Sequence, residues 1–437
     1  MSKVKIQGHA SGSGVLTVTA PNTSTDRTIT LPDTTGTLLD ENSSVPAANL
    51  TGTVADARIS TLTASKLTGA LPAISGASLT GINIPSGRKN IMFNGAMNIS
   101  QRTTSTASVT SAAYGACDRY KFIINGGGTF TISQENDAPA GFHKSLKANC
   151  TTAQGSLGAN DYGYFSQKIE SQDTKHLAYG TSSAKTITLS FWVKCSQTGT
   201  LQAGIVHYAS SENRHIGGTY TINAANTWEK KTMTFVGDTA AAGAGNFDTA
   251  RGFEVEWFLI SGSSRTGGSV PSSWGTMAQT NRNAGSNISI GDSTSDTWQI
   301  TGVQLEVGDT ATDFEYRSYG EELALCQRYY YAFLGGGQGT GHIGIGHYTL
   351  SSYLNISGGA FPVTMRTTPS YVITNGSSYW NIYRNDTGDH FDSISSSTIN
   401  QNSWTVVGTV GVSGTQGMVG SAALGNAAGK LHFDAEL

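Results

Sequence analysis

Residues 186–196 read TITLSFWVKCS. Ile187, Leu189, Phe191 and Val193 fall on one side of an extended chain, and Thr188, Ser190, Trp192 and Lys194 fall on the other. That period of two predicts a strand with one face in a core. The pattern recurs in TFTIS (129–133), TWEKKTMTFVG (227–237), GFEVEWFLISG (252–262) and WQITGVQLEVG (298–308), with Gly-, Asn- and Ser-rich turns between. Many short alternating runs over residues 88–319 predict an antiparallel sandwich or jelly roll.

Composition points the same way. The chain has 437 residues, with 37% hydrophobic, 13% charged and 54 glycines, which suits short strands and turns better than helical bundles. Net charge is −3 with no long basic run, so nothing supports nucleic acid or an anionic membrane as partner. The opening MSKVKIQGHASGSG lacks the apolar core of a signal peptide, and no apolar run is long enough to span a bilayer. Cys117, Cys150, Cys195 and Cys326 are scattered, with neither zinc-site nor compact disulfide spacing. Free thiols assembled in a reducing compartment are expected.

Other zones flank the sandwich. Residues 1–39 hold two alternating runs, at 15–19 and 28–31, around a turn at Pro21 and Asn22. Residues 40–87 repeat Leu-Thr-Gly from Leu50, Leu67 and Leu79 at unequal spacing, with few apolar residues between. Alone they cannot bury enough surface to offset the entropy of ordering. They are a disordered linker or a shaft that orders by winding with copies of itself, and the repeat favours the shaft.

Residues 300–330, ITGVQLEVGDTATDFEYRSYGEELALCQRYY, pass from strand through turn to helix. A helix over residues 321–333 would carry Leu323, Cys326 and Tyr330 on one face and Leu325, Tyr329 and Phe333 on the next. So wide an apolar arc predicts cover on more than one side, hence an axial helix (320–334) packed on its symmetry mates between two β domains. Residues 335–437 again carry strand patterns, a distal β-sandwich. The expected class is therefore mainly β, with an N-terminal β segment, an intertwined trimeric shaft, a jelly roll, one short axial helix and the distal sandwich.

Several stretches resemble bacteriophage tail-fibre and receptor-binding proteins. GVLTVTAPNTSTDRTITLPDTTGTLL (14–39) resembles the N-terminal segments of fibre proteins of marine and cyanobacterial phages. NIMFNGAMNISQRTTS, followed by YGACDRYKF, is similar to the opening of a carbohydrate-binding-module-like jelly roll in phage tail proteins. Asn94, Gly95, Met97, Gln101, Arg102, Asp118, Arg119 and Tyr120 carry that match, with Met97 and Tyr120 where the family often has Phe and Trp. Residues 300–330 resemble the closing strand and following helix, and FPVTMRTTPSYVIT (361–374) the start of the distal domain. The resemblance implies a homotrimeric virion appendage, assembled in the host cytoplasm. Its N-terminus would attach to a phage tail or adaptor protein, and it would bind host-surface polysaccharide or lipopolysaccharide without catalysis, cofactor or membrane insertion. A purely structural head fibre or tail connector is the alternative.

Glycan recognition needs aromatic faces beside polar groups. Trp192, on a polar strand face, is a sugar contact or packs under a loop or a neighbouring subunit. Trp274 lies in a loop. Tyr379, Trp380 and Tyr383, in NGSSYWNIYRNDTGDHFD (375–392), form with Trp404 the distal candidates. Trp257 and Trp298 alternate with core residues, and Trp228 opens a strand. Glu254 and Glu256 share one strand face and would be the acids of a polysaccharide depolymerase, or merely carboxylates on a solvated sheet. Asp386, Asp389, His390 and Asp392 could hold a hard cation, although a turn tied by Asx hydrogen bonds is the better fit. His342 and His347 need a bulge between them to share a face. No metal or cofactor is expected.

Overall fold

A computed structural model describes residues 88–335, 341–385 and 387–437, with scattered residues between 10 and 28. Contacts divide the chain into two units, Met1–Ile82 and Asn83–Leu437. The described residues of the first unit are exposed. The strands expected within residues 1–39 fall mainly outside the described residues, and the shaft of 40–87 falls wholly outside them.

Within the second unit the first domain contains β1 (Ser105–Val109), β2 (Ala113–Tyr114), β3 (Lys121–Asn125), β4 (Thr129–Glu135), β5 (Ser145–Thr152), β6 (Tyr162–Glu170) and β7 (Ile187–Cys195). It continues with β8 (Gly199–Tyr208), β9 (Asn213–Ile222), β10 (Glu229–Phe235), β11 (Arg251–Ser261), a one-turn helix α1 (Ser263–Thr266), β12 (Gly275–Thr276) and β13 (Thr297–Val307). They form a sandwich: one sheet is ordered β1-β4-β5-β13-β7-β10, the other β12-β9-β8-β11-β6-β3-β2, and the pairings are antiparallel. Leu189, Phe191 and Val193 of β7 enter the space between the sheets with Val255 and Trp257 of β11 and Trp298 and Ile300 of β13. Trp298 stacks on Phe165, ring centroids 5.5 Å apart, and its indole N–H donates to the Tyr220 hydroxyl at 3.3 Å. The hydrophobic faces seen in the alternation are the faces that meet.

A second helix, α2 (Tyr319–Gln327), comes after β13. Ser318 caps it, accepting from the Glu321 N–H at 3.3 Å, and Glu321 and Glu322 occupy its positive first turn. The helix then stops short of the expected residue 333, because Tyr330–Gly335 form β14 and pair with the last strand, Tyr331 opposite Phe433. Aromatic residues favour the pleat, and a waiting strand partner outweighs local helix preference.

The distal domain consists of β14, β15 (His342–Leu350), β16 (Tyr353–Ala360), β17 (Ser370–Thr374), β18 (Trp380–Arg384), β19 (Thr387–Phe391), β20 (Ser393–Ile399), β21 (Ser403–Val410), β22 (Val419–Leu424) and β23 (Lys430–Asp434). A three-stranded sheet, β14-β23-β17, faces a seven-stranded one, β19-β18-β22-β15-β16-β21-β20. Trp380, Trp404, Tyr348, Ile382, Leu354 and Phe433 fill the core between them.

The expected role of the region after β13 needs correction. Cys326 and Tyr329 are fully buried and Tyr330 nearly so, all within this chain. The Arg119 guanidinium lies 3.4 Å from the Tyr329 ring centre, and that of Arg102 lies 3.5 Å from Tyr330. The Tyr329 hydroxyl donates to Glu170 at 2.6 Å. The apolar arc is thus covered by the chain's own two domains, so these three residues are closed to a symmetry mate. Leu323, Leu325 and Phe333 are half-buried, and Phe333 packs edge-on against Trp404.

Three histidines make the fold acid-sensitive. Burial pushes His207 down to about 4, His215 to about 3 and His432 to about 4. Their imidazoles are folded in the neutral form. As pH falls from ~6.5 toward 4 the unfolded chain binds these protons and the folded chain does not, so stability falls with pH. Burial raises Glu256 to about 7 and also pushes Asp118 and Asp173 up, and these carboxyls oppose the trend. We expect a lower denaturant midpoint at pH 5 than at pH 7; an equal or higher midpoint would show the histidines do not dominate.

Candidate functional site

The resemblance-bearing motif builds a junction. Asn94, at φ 53°, donates its amide to the Ile99 and Asp118 carbonyls, at 2.9 and 3.0 Å. A Cβ on Gly95 would sit 2.2 Å from the Val303 carbonyl oxygen, so only glycine fits there. Gln101 donates through its backbone N–H and its side chain to the two oxygens of Asp118, at 3.0 and 2.6 Å, and its side chain also donates to the Tyr330 carbonyl at 2.7 Å. Arg102 reaches Glu436 at 3.2 Å and Asp434 at 3.5 Å. Arg119, fully buried, pairs with Glu436 and donates to the Lys168 carbonyl. Arg328 forks onto Glu170 at 2.7 and 2.8 Å. These charges clamp the distal domain to the sandwich; Asp118 and Arg119 are fully buried, whereas Arg328 and Asp434 keep 27% and 33% of their side chains exposed.

The expected acid pair is also enclosed. Glu254 accepts from the Tyr208 hydroxyl at 2.9 Å and pairs with Arg251 at 3.1 Å. Glu256 is fully buried, clasped by Arg282. A carboxyl raised to about 7 is the kind of shift seen in general acids, but desolvation raises this one, and the guanidinium closes it off. The face is buried, not solvated, because the loop carrying Arg282 lies over it.

The distal candidates scatter. Alternation along β18 sends Trp380 and Ile382 inward and Tyr383 outward. Trp380 is fully buried with its N–H on Asn375 at 2.7 Å, and Trp404 is 2% exposed. Neither offers a face to a sugar, which corrects the expectation: a domain this rich in small polar residues uses its tryptophans as core. Tyr379 is half-buried, its ring folded on Gly376. Only Tyr383 of this set is exposed, at 50%. Trp274 plugs a loop, with its N–H on the Val236 carbonyl at 2.7 Å and its ring 5.5 Å from Tyr179. Asp389 holds the Tyr348 hydroxyl and Arg384, and Asp392 the Ser378 N–H, whereas Asp386 lies outside the described residues. A register shift after His342 leaves it and His347 both exposed. Among the described residues no cluster of His, Cys, Asp or Glu could hold a metal ion.

Trp192 stands apart. It projects from the outer face of β7, half-buried, into a cleft of about 440 Å³ lined by Phe142, Ser190, Lys230, Gly302, Asp313, Phe314 and Tyr316. Phe142, Phe314 and Tyr316 form a mutual cluster, with ring centroids 5.0 to 5.6 Å apart. The floor depends on a bulge in β13 between Thr301 and Gln304, where Gly302 adopts φ +62°. A Cβ there would meet Phe142 at 2.7 Å and Trp192 at 2.9 Å, so the missing side chain is the space the two rings fill. Tyr316 is 62% exposed and its hydroxyl donates to the Gly141 carbonyl at 3.0 Å. Aromatic walls thus stand beside a hydroxyl, an ammonium and a carboxylate, the combination that grips a ring carrying both C–H faces and hydroxyls.

Sequence reasoning finds Trp192 and misses its neighbours. Phe314 and Tyr316 alternate in TDFEYR (312–317), a signal that reads locally only as the approach to the helix. Phe142 lies in a loop with no periodicity to expose it.

The fold and cleft define the class: an antiparallel β-sandwich protein with an aromatic groove on one sheet face. No protein-family model matches the sequence, and no curated protein does. Similar solved structures include a CBM61 protein in complex with β-1,4-galactotriose, at TM-score 0.25 and 8% identity, covering 51% of this chain and 100% of that one. The CBM22-2 xylan-binding domain of Paenibacillus barcinonensis Xyn10C aligns at 0.24 and 11%, covering 43% and 91%. A family 11 carbohydrate-binding module from Clostridium thermocellum, in complex with a β-1,3-1,4-mixed-linked tetrasaccharide, aligns at 0.24 and 8%, covering 49% and 99%. At TM-scores this low none of them says what this chain binds.

Proposed function

We propose that this chain is a phage tail-fibre protein that adsorbs to host-surface glycan without catalysis, and that the Trp192 cleft is its sugar site. The cleft carries the reading: it joins four aromatic rings to exposed polar groups on a sheet face. The resemblance of residues 14–39 and 90–122 to fibre proteins supplies the virion context, with attachment through the N-terminal segment. Three copies would raise weak single-site affinity into avid adsorption. Leu323 and Leu325 remain half-buried on α2, beside a groove of about 300 Å³ that includes Arg88 and Val363, and they are the contacts left for a homotrimer.

The test uses the purified full-length chain on a glycan array and on intact candidate host cells, with native mass spectrometry beside it. Trimers that bind a defined glycan set are expected. A monomer, or a trimer that binds no glycan and no cell, overturns the reading. Shortening of the bound glycan would instead reveal a depolymerase. A second reading, a structural connector or head fibre, is favoured by the junction, where the motif residues are engaged in holding two domains of the chain together; finding the protein away from the tail in whole virions would establish it.

A further inference from the structure

The outer face of β7 and β10 contains two lysine–tryptophan pairs. In the first, Lys194 and Trp228 share one carboxylate: Asp137 accepts from Lys194 Nζ at 2.7 Å and from Trp228 Nε1 at 3.2 Å. In the second, Lys230 stands directly across the antiparallel register from Trp192. Lys230 is exposed, and among the described residues no carboxylate pairs with it and no acceptor takes the Trp192 N–H. Asp313, the other charged residue lining the cleft, is exposed, and Lys89 Nζ donates to its backbone carbonyl at 2.6 Å, not to its carboxylate. Of the two, the ammonium of Lys230 is the charge set directly across the register from Trp192, in the place that Lys194 takes beside Trp228.

Resting on the glycan-binding reading above, we propose that the ligand is a uronic-acid-containing polysaccharide. Its carboxylate sits between Lys230 Nζ and Trp192 Nε1, as Asp137 sits between Lys194 and Trp228. The attached sugar ring lies toward Phe142 and Tyr316, and Ser190 and Asp313 are left for its hydroxyls. A charge-assisted hydrogen bond is stronger than a neutral one and weakens with salt where it is exposed. Preference for the acid should therefore be largest at low ionic strength.

The full-length protein is titrated calorimetrically with oligosaccharides of polygalacturonate and of alginate, with their fully methyl-esterified forms, and with a sulfated carrageenan. The acids should bind roughly tenfold tighter than the esters, which keep the ring and lose the charge. Lys230→Gln should erase that margin and its salt dependence, and Lys230→Arg should retain most of both. Equal binding of acid and ester, or an unchanged Lys230→Gln, overturns the proposal while leaving the glycan reading intact. Binding of carrageenan alone overturns the carboxylate in favour of a sulfate. Binding of no glycan, charged or neutral, removes both.

Discussion

Replacing Trp192 by alanine should abolish measurable glycan binding by a single site while leaving the protein folded. The indole forms one wall of the cleft and projects away from the core, so its loss removes a binding face without opening a cavity between the sheets. Central aromatic anchors typically cost about 2 kcal/mol or more when truncated, which is roughly 30-fold in affinity. Gly302→Val provides the converse arm. It keeps every aromatic ring and fills the floor, where even a Cβ would lie within 3 Å of two of them. Both variants should lose binding to cells and array, with near-wild-type unfolding midpoints for Trp192→Ala and a modest drop for Gly302→Val, whose φ is positive. If Trp192→Ala binds as well as wild type, the site lies elsewhere, and exposed Tyr383 on the distal sheet becomes the next candidate.

The second large effect is structural. Arg119→Ala should destabilise the protein by about 3–5 kcal/mol, because it leaves Glu436 buried with one of its two arginines gone. It also removes the guanidinium from the face of Tyr329. The distal domain should then melt ahead of the sandwich, turning one denaturant transition into two. Glu436→Ala should have a similar cost, and the double variant should cost much less than the sum, since each single change strands the partner charge. Additive costs, or a loss below about 1 kcal/mol, would mean the junction depends on apolar packing and strand pairing.

That junction shows what the residues that carry the resemblance do in the fold. Nothing read along the chain marks Gln101, Arg102, Asp118 and Arg119 as junction residues, because burial of a charge depends on a partner far away in sequence. Glu436 lies more than three hundred residues from both arginines. No local pattern announces such a pairing. The same holds for Glu256, whose neutralising Arg282 arrives from a separate loop.

Local periodicity did determine much by itself. Two-residue alternation identified the strands around Phe191, Trp257 and Trp298, which faces would be buried, and that Trp192 would point away from the core; side-chain direction in a strand is set by backbone geometry alone. The expected helix start at residues 320–321 lies within two residues of the observed one, Tyr319, which the structure shows capped by Ser318. Tertiary structure decided where elements end and which faces are covered. The helix ends at Gln327 because β23 offers Tyr330–Gly335 a pairing partner. Cys326, Tyr329 and Tyr330 are closed to other subunits because two domains of one chain meet over them. Trp380 and Trp404 are core because the distal sheets fold onto them. The cleft exists because a bulge at Gly302 lets a loop ring, Phe142, approach a strand ring, Trp192, from 50 positions away. Alternation says which side of a strand a residue occupies; only the packing of distant segments says whether that side is covered, and by what.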